Sequence, residues 1–189
     1  MAETEERTKK PNRSKLKVLA IRHAIAEDPE AFAKTSKPDA LRPLTRAGKK
    51  KMRRAARGLV RLVPHLDALA TSPLTRAVET GEIVGEGYGY EQPVSLPALA
   101  PGKSAGQVMD WLKEQAEHAK KGAETTVAIV GHEPGLGQLV SWMLTGLRES
   151  FIPLKKGGAC LVEFEGEVKP ARAKLLWAMK PSQLRDLAR

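Results

Sequence analysis

The feature that most constrains the fold is an alternation. Short apolar runs, "KVLAI" (17–21), "ALAT" (68–71), "PVSL" (93–96) and "TVAIV" (126–130), are separated by stretches with helical spacing at about 45–63, 74–86, 104–121 and 135–145. Strands joined through helices run parallel, because each helix returns the chain to the same end of the sheet, and such a sheet is covered on both faces. The expected fold class is therefore α/β, a three-layer α/β/α sandwich with a mainly parallel central sheet. Later, "ACLVEFEG" and "AKLLWAMK" lie only a few residues apart, which suits a C-terminal antiparallel strand pair. Pro181 then opens a short terminal helix, a position where the missing N–H costs nothing.

A chain of 189 residues is long enough to bury one continuous core. Residues 1–15 are polar, lack periodicity and include Pro11, so they read as a flexible N-terminal tail ahead of a single domain at 16–189. No internal repeat is visible. The longest apolar runs, such as "LVSWML" at 139–144, fall far short of the roughly 20 residues that cross a bilayer. The N-terminus has no apolar segment of the secretory kind. Cys160 stands alone, which excludes an intrachain disulfide and makes a cytoplasmic location the simplest expectation.

Lys plus Arg number 32 against 22 Asp plus Glu, a net charge of +10 whose field draws in anions. Much of it lies in "RAGKKKMRRAARGLVR" (46–61). There Met52, Ala55, Ala56, Leu59 and Val63 recur at helical spacing, with Arg46, Lys50, Arg53, Arg57 and Arg61 on the opposite side. Such a face is either solvated or a docking surface for nucleic acid or an acidic protein.

In open α/β sheets, ligands bind beyond the carboxyl ends of the strands. The first strand candidate ends in Arg22 and His23. The second runs into "TSPLTRAVET" (71–80), where Ser72 and Pro73 read as a helix cap and first turn, with Arg76 inside that turn. The fourth ends in "GHEPGLGQL" (131–139), with His132 at the tip, Gly131 read as allowing close backbone approach, and Pro134 beginning the next helix. Singly these are common dipeptides. Together they place two arginines and two histidines at one sheet edge, near helix N-termini that favour anions, a combination suited to a phosphoryl group. His65, after a proline, and His118, on a polar helix, read as surface residues.

Guanidinium groups can hold the nonbridging oxygens of a phosphoryl group and stabilise its charge. They cannot attack phosphorus. A neutral imidazole can, because its pKa of about 6.5 leaves a nitrogen lone pair free at neutral pH. His23 is the better nucleophile candidate because it sits next to Arg22 at the first strand tip, and a carbonyl that fixed its other nitrogen would select the tautomer that points the lone pair at the substrate. A second histidine, if protonated, would donate to the phosphoryl oxygens.

"RHA" (22–24), "RPLTRAG" (42–48), "SPLTRAVET" (72–80) and "VGHEPGLGQLV" (130–140), in this order, resemble the histidine phosphatase superfamily, with its phosphoglycerate-mutase-like fold, and within it the short SixA-type phosphohistidine phosphatases. The resemblance runs from about Leu16 to Leu184. It implies that His23 becomes phosphorylated, that Arg22, Arg76 and His132 complete the phosphate pocket, and that Arg42 brings a further arginine to the substrate. Thr45 then remains a helix cap. Where the family carries Arg-His-Gly this chain has Ala24, a small change unless that backbone needs positive φ. Many members use a glutamate general acid in the region of "SLPALAPGKSAGQV" (95–108), and none occurs here, as in SixA-type proteins.

An alkoxide is too basic to leave without a proton donor, whereas an imidazole, with a conjugate acid of pKa about 6.5, needs one far less. Glu27, Asp28, Glu79 and Glu133 are candidate substitutes that read better as helix-end or loop carboxylates. The expected function is thus hydrolysis of phosphohistidine on a phosphorelay-type protein in signal transduction, with phosphate or another oxyanion in the pocket. The alternatives are a small-molecule phosphomonoesterase, or a non-catalytic protein that binds anions or nucleic acid. The histidine spacing fits no metal site and the glycines no nucleotide fingerprint, so no metal or cofactor is expected.

Overall fold

Between strands the chain turns back through helices, and the resulting order can be followed over residues 14–90, 92–118 and 123–188, which the computed structural model describes. The strands are β1 (Lys15–Arg22), β2 (Ala68–Thr71), β3 (Val94–Ser95), β4 (Glu124–Gly131), β5 (Ala159–Glu165) and β6 (Ala173–Met179). The helices are α1 (Pro29–Ala33), α2 (Arg46–Leu62), α3 (Thr75–Tyr88), α4 (Ala105–His118), α5 (Gly135–Thr145) and α6 (Pro181–Asp186), with 3-10 turns at Asp39–Leu41 and Pro97–Leu99. Residues 1–13 of the expected tail and 119–121 of the helix expected at 104–121 lie outside the described residues. Lys15, assigned to the tail by sequence, is instead the first rung of β1, paired with Glu124 and Glu165.

The sheet order is β3-β2-β4-β1-β5-β6. β1 through β4 pair in parallel, and β5 and β6 join antiparallel, as the alternation required. Side chains along β1 alternate between two cores. Leu19 and Ile21 meet α2, α3 and Leu184 of α6, while Leu16, Val18 and Ala20 meet α4, α5 and Phe164. Central strands buried on both faces explain why β1 and β4 read as continuous apolar runs.

In α2 the apolar positions predicted for burial are buried, and Arg46, Lys50, Arg53, Arg57 and Arg61 are exposed. Its N-cap is Thr45, whose Oγ1 accepts from the Gly48 amide at 2.9 Å. Gly48 itself is required by space, because a Cβ there would stand 2.1 Å from the Ile25 carbonyl oxygen. That contact presses the start of α2 against the backbone just beyond His23. The chain between, residues 27–43, is an excursion closed at its neck by an Ala26–Leu44 bridge and by the Glu27 amide donating to Pro43 O at 2.9 Å. α1 lies inside it, with Phe32 as its buried residue and Asp28 as its cap.

Candidate active site

β1 and β4 are neighbours in register, and their last rung pairs Arg22 with Gly131. The residues that follow, His23 and His132, therefore leave the sheet side by side, with ring centroids 5.0 Å apart. Both are buried, at 6% and 5% exposure, so their geometry is set by packing. The His23 amide donates to Gly131 O at 3.0 Å, and Nδ1 of its ring lies 2.7 Å from Ala24 O. A carbonyl accepts only, so Nδ1 carries the proton and Nε2 keeps its lone pair. Ala24 has no positive φ, and its amide donates to Thr80 Oγ1 at 3.0 Å, so alanine fits where the family has glycine.

Nε2 of His132 pairs with Oγ of Ser72 at 2.8 Å. Ser72 is thus not the helix cap its position after β2 suggested. α3 begins at Thr75 behind Leu74, two residues later than a Ser72 cap would start it and with no side-chain cap. Gly131 likewise is not demanded by space, since a Cβ there would meet its neighbours at ordinary contact distances of 3.5 Å and more.

Two guanidinium groups act on both imidazoles. Arg76, in the first turn of α3, is 5% exposed and donates through Nη1 to Asp39 O at 3.0 Å and Asp39 Oδ2 at 3.1 Å. Arg22 donates through Nη1 to Leu154 O at 2.8 Å. Burial first, then the positive charge of Arg76 and Arg22, pushes the pKa of His23 down to about 4, against the lift given by its bond to Ala24 O. His132 is pushed to about 3 by burial, then by His23, Arg76 and Arg22. Both rings are neutral at neutral pH in this state. The protonated second histidine that the sequence left open is therefore not the ground state, and His132 can donate only through its neutral N–H.

Nε of Arg22, Nε of Arg76 and Nδ1 of His132 are buried without a hydrogen-bond partner. Orphaned buried polar atoms are uncommon in native proteins. An oxyanion seated between these groups would satisfy them.

Arg42 is held by Asp39, whose Oδ1 accepts from its Nε at 2.7 Å, and by Glu27 O, which accepts from Nη1 at 2.8 Å. It reaches the cluster through Asp39, which bridges the two arginines. The hydrogen bond from Arg42, helped by the charge of Arg76, holds the Asp39 carboxyl below its usual range against the opposing effect of burial. Sequence reasoning missed Asp39. Its signal, "DALR" beside the motif arginine, is an ordinary exposed turn until the fold brings Arg76 to it.

The other acids are engaged elsewhere. Asp28 accepts from the Glu30 and Ala31 amides, Glu79 accepts from the Leu44 amide and Lys49, and Glu133 accepts from the Leu154 and Gly137 amides. Glu27 is exposed. His65 pairs with Asp67 and His118 with Glu114 O at the surface, away from this cluster.

Residues 18–100 match the model of the histidine phosphatase superfamily (branch 1). The chain belongs to that superfamily. An uncharacterised protein of Picosynechococcus is 33% identical over 145 residues, covering 76% of this chain and 82% of that one. The protein histidine phosphatase SixA complexed with tungstate superposes with a TM-score of 0.73 at 25% identity, covering 89% of this chain and 99% of its own. A mycobacterial glucosyl-3-phosphoglycerate phosphatase in complex with VO3 matches at 0.66 and 16% identity, covering 85% and 97%, which bears on the fold alone. The fold is thus of the phosphoglycerate-mutase-like, SixA-type kind, and the protein is a phosphatase by class.

Proposed function

We propose that the protein hydrolyses phosphohistidine on another protein, with His23 as nucleophile and Arg22, Arg76, Arg42 and His132 as the phosphoryl-binding groups. The observation that carries this reading is the state of the carboxylates. Asp28, Asp39, Glu79 and Glu133 each hold a structural partner and Glu27 is exposed, which favours a substrate that does not call for a spare proton donor. A substrate whose leaving group is imidazole makes the least demand for one.

In the first step the Nε2 lone pair of His23 attacks phosphorus. The P–N bond to the substrate ring breaks and its electron pair returns to that nitrogen, so the ring departs neutral when its second nitrogen carries a proton. Arg22 and Arg76 stabilise the transferring oxygens, which is where catalysis of a loose phosphoryl transfer mostly resides. Water then attacks the phosphorylated His23, the Nε2–P bond breaks with its pair returning to the ring, and phosphate leaves.

A protein substrate is supported by a cationic groove beside the site. Lys51, Lys156 and Arg185 line a hollow next to Ala24, and Lys50 and Arg54 continue it along α2 with no acidic residue on its walls. Lys156 also acts electrostatically on His23. Such a surface suits an acidic partner and speeds its encounter. The test is the ratio of kcat/KM on a phosphohistidine-bearing phosphorelay domain to that on 4-nitrophenyl phosphate and sugar phosphates. A ratio well above one is expected. Preference for a small phosphomonoester would reassign the substrate, and salt-sensitive nucleic-acid binding without turnover would replace the enzyme by a binding protein.

A further inference from the structure

Beside His132, and not lined by His23, lies a cavity of about 200 Å³ that the phosphoryl-binding groups do not explain. Gly131 and His132 are among the residues that line it, so it adjoins the second histidine of the cluster. Its floor is apolar and buried: Leu99 from the 3-10 turn, Val108 from α4, and Leu136 from α5. Ala98 and Ala100, half-buried, also line it, as do the exposed Lys103 and Gln138. Glu133 borders it, but both of its oxygens are taken by the Leu154 and Gly137 amides. The walls therefore offer area to a flat uncharged group and no carboxylate to a proton-demanding one.

We propose that this cavity seats the leaving group, the imidazole ring of the phosphohistidine substrate, and so selects P–N over alkyl P–O bonds. The inference rests on the function proposed above. Size permits it, since an apolar cavity of about 150 Å³ is enough to take a benzene ring. Charge favours it. The reactive substrate ring, bearing a proton on its second nitrogen, is positive before the P–N bond breaks and neutral after the electron pair returns to it. An apolar wall, with Lys103 among its lining, destabilises the charged ground state relative to the neutralising transition state, which accelerates the step. An alkyl phosphate runs the other way, developing negative charge on oxygen against the same apolar surface. The lack of a glutamate between Val94 and Val108 and the apolar lining are then one device.

The experiment fills the cavity from two different elements that line it. Ala100→Phe and Gln138→Trp are assayed on free phosphohistidine, on 4-nitrophenyl phosphate and on phosphoramidate, whose leaving group is ammonia and needs no pocket. In each folded variant the ratio of kcat/KM for phosphohistidine to that for phosphoramidate should fall about tenfold or more, the usual scale for losing an apolar subsite. A ratio within about twofold of wild type in both variants overturns the proposal, and because the two substitutions sit on different elements, one after the 3-10 turn and one in α5, misfolding of one leaves the other decisive. Should the wild type prefer 4-nitrophenyl phosphate to phosphohistidine, the proposed function fails on its own. The cavity is then judged by the aryl-to-phosphoramidate ratio, whose fall upholds it as the leaving-group seat and whose constancy rejects it.

Discussion

His23 and His132 stand at the ends of adjacent parallel strands, their backbones fixed by the Arg22–Gly131 rung and their rings by burial and by bonds to Ala24 O and Ser72. Asp39 and Arg42 ride on the 27–43 excursion, and Asp39 is exposed, with 59% of its side chain open to solvent. The chemistry-bearing rings are thus held by the sheet, and the loop charges are held by one another. Interactions of the first kind cost nothing to re-form at each turnover, which is the condition for electrostatic and nucleophilic catalysis in a preorganised site. Those of the second kind are open to exchange, because a solvent-exposed carboxylate between two arginines can give way to a phosphoryl oxygen.

The sharpest way to break that comparison is Arg76→Ala. Arg76 belongs to the rigid set by burial and to the loop set by its bonds to Asp39, so its loss should lower kcat by about 10²–10³-fold. A loss of less than about threefold would remove it from the site. Arg42→Ala should cost less, about tenfold, since its guanidinium reaches the cluster through Asp39. Asp39→Asn sharpens the contrast further. Without the anion the two guanidinium groups repel and lose their order, yet the site becomes more attractive to an oxyanion, so kcat and KM should both fall a few-fold. A rise in KM would mean that Asp39 supports binding rather than competing with it.

The smallest and most specific effect is on titration. The pKa of His23 is depressed to about 4 and that of His132 to about 3, from about 6.5 in the unfolded chain. Between pH 6.5 and 4 the unfolded state binds more protons, so stability falls as pH drops through that window and is fully present above it. NMR titration of the free protein should place the His23 midpoint near pH 4. A midpoint near 6.5 would mean that the ring is solvated, and the packed-tip account would fail.

Much of this was legible in the sequence because it is local or periodic. "ALAT" is β2 to the residue, and the apolar stripe of α2 is the buried one. β1 runs one residue past its apolar stretch to Arg22, since the rung with Gly131 is made by backbone and is indifferent to side-chain polarity. α1 escaped notice because Phe32 is its sole buried residue and a single apolar position has no period. Asp39, Ser72 and the cavity beside His132 were not readable at all. Each acquires its role from a partner far along the chain, Asp39 from Arg76 and Ser72 from His132 at a separation of 60 residues. Arg22, His23, Arg76 and His132 were found at the strand tips and Arg42 through a resemblance, whereas the bonds that orient them exist only in the fold.

The central claim is that the Nε2 lone pair of His23 takes the phosphoryl group. Rapid quench of the protein with a phosphohistidine substrate, followed by mapping of the labelled peptide, tests it directly. Acid-labile, base-stable phosphate on His23, absent in His23→Ala together with turnover, is the predicted result. Turnover that persists in His23→Ala, or label found on another residue, would contradict it.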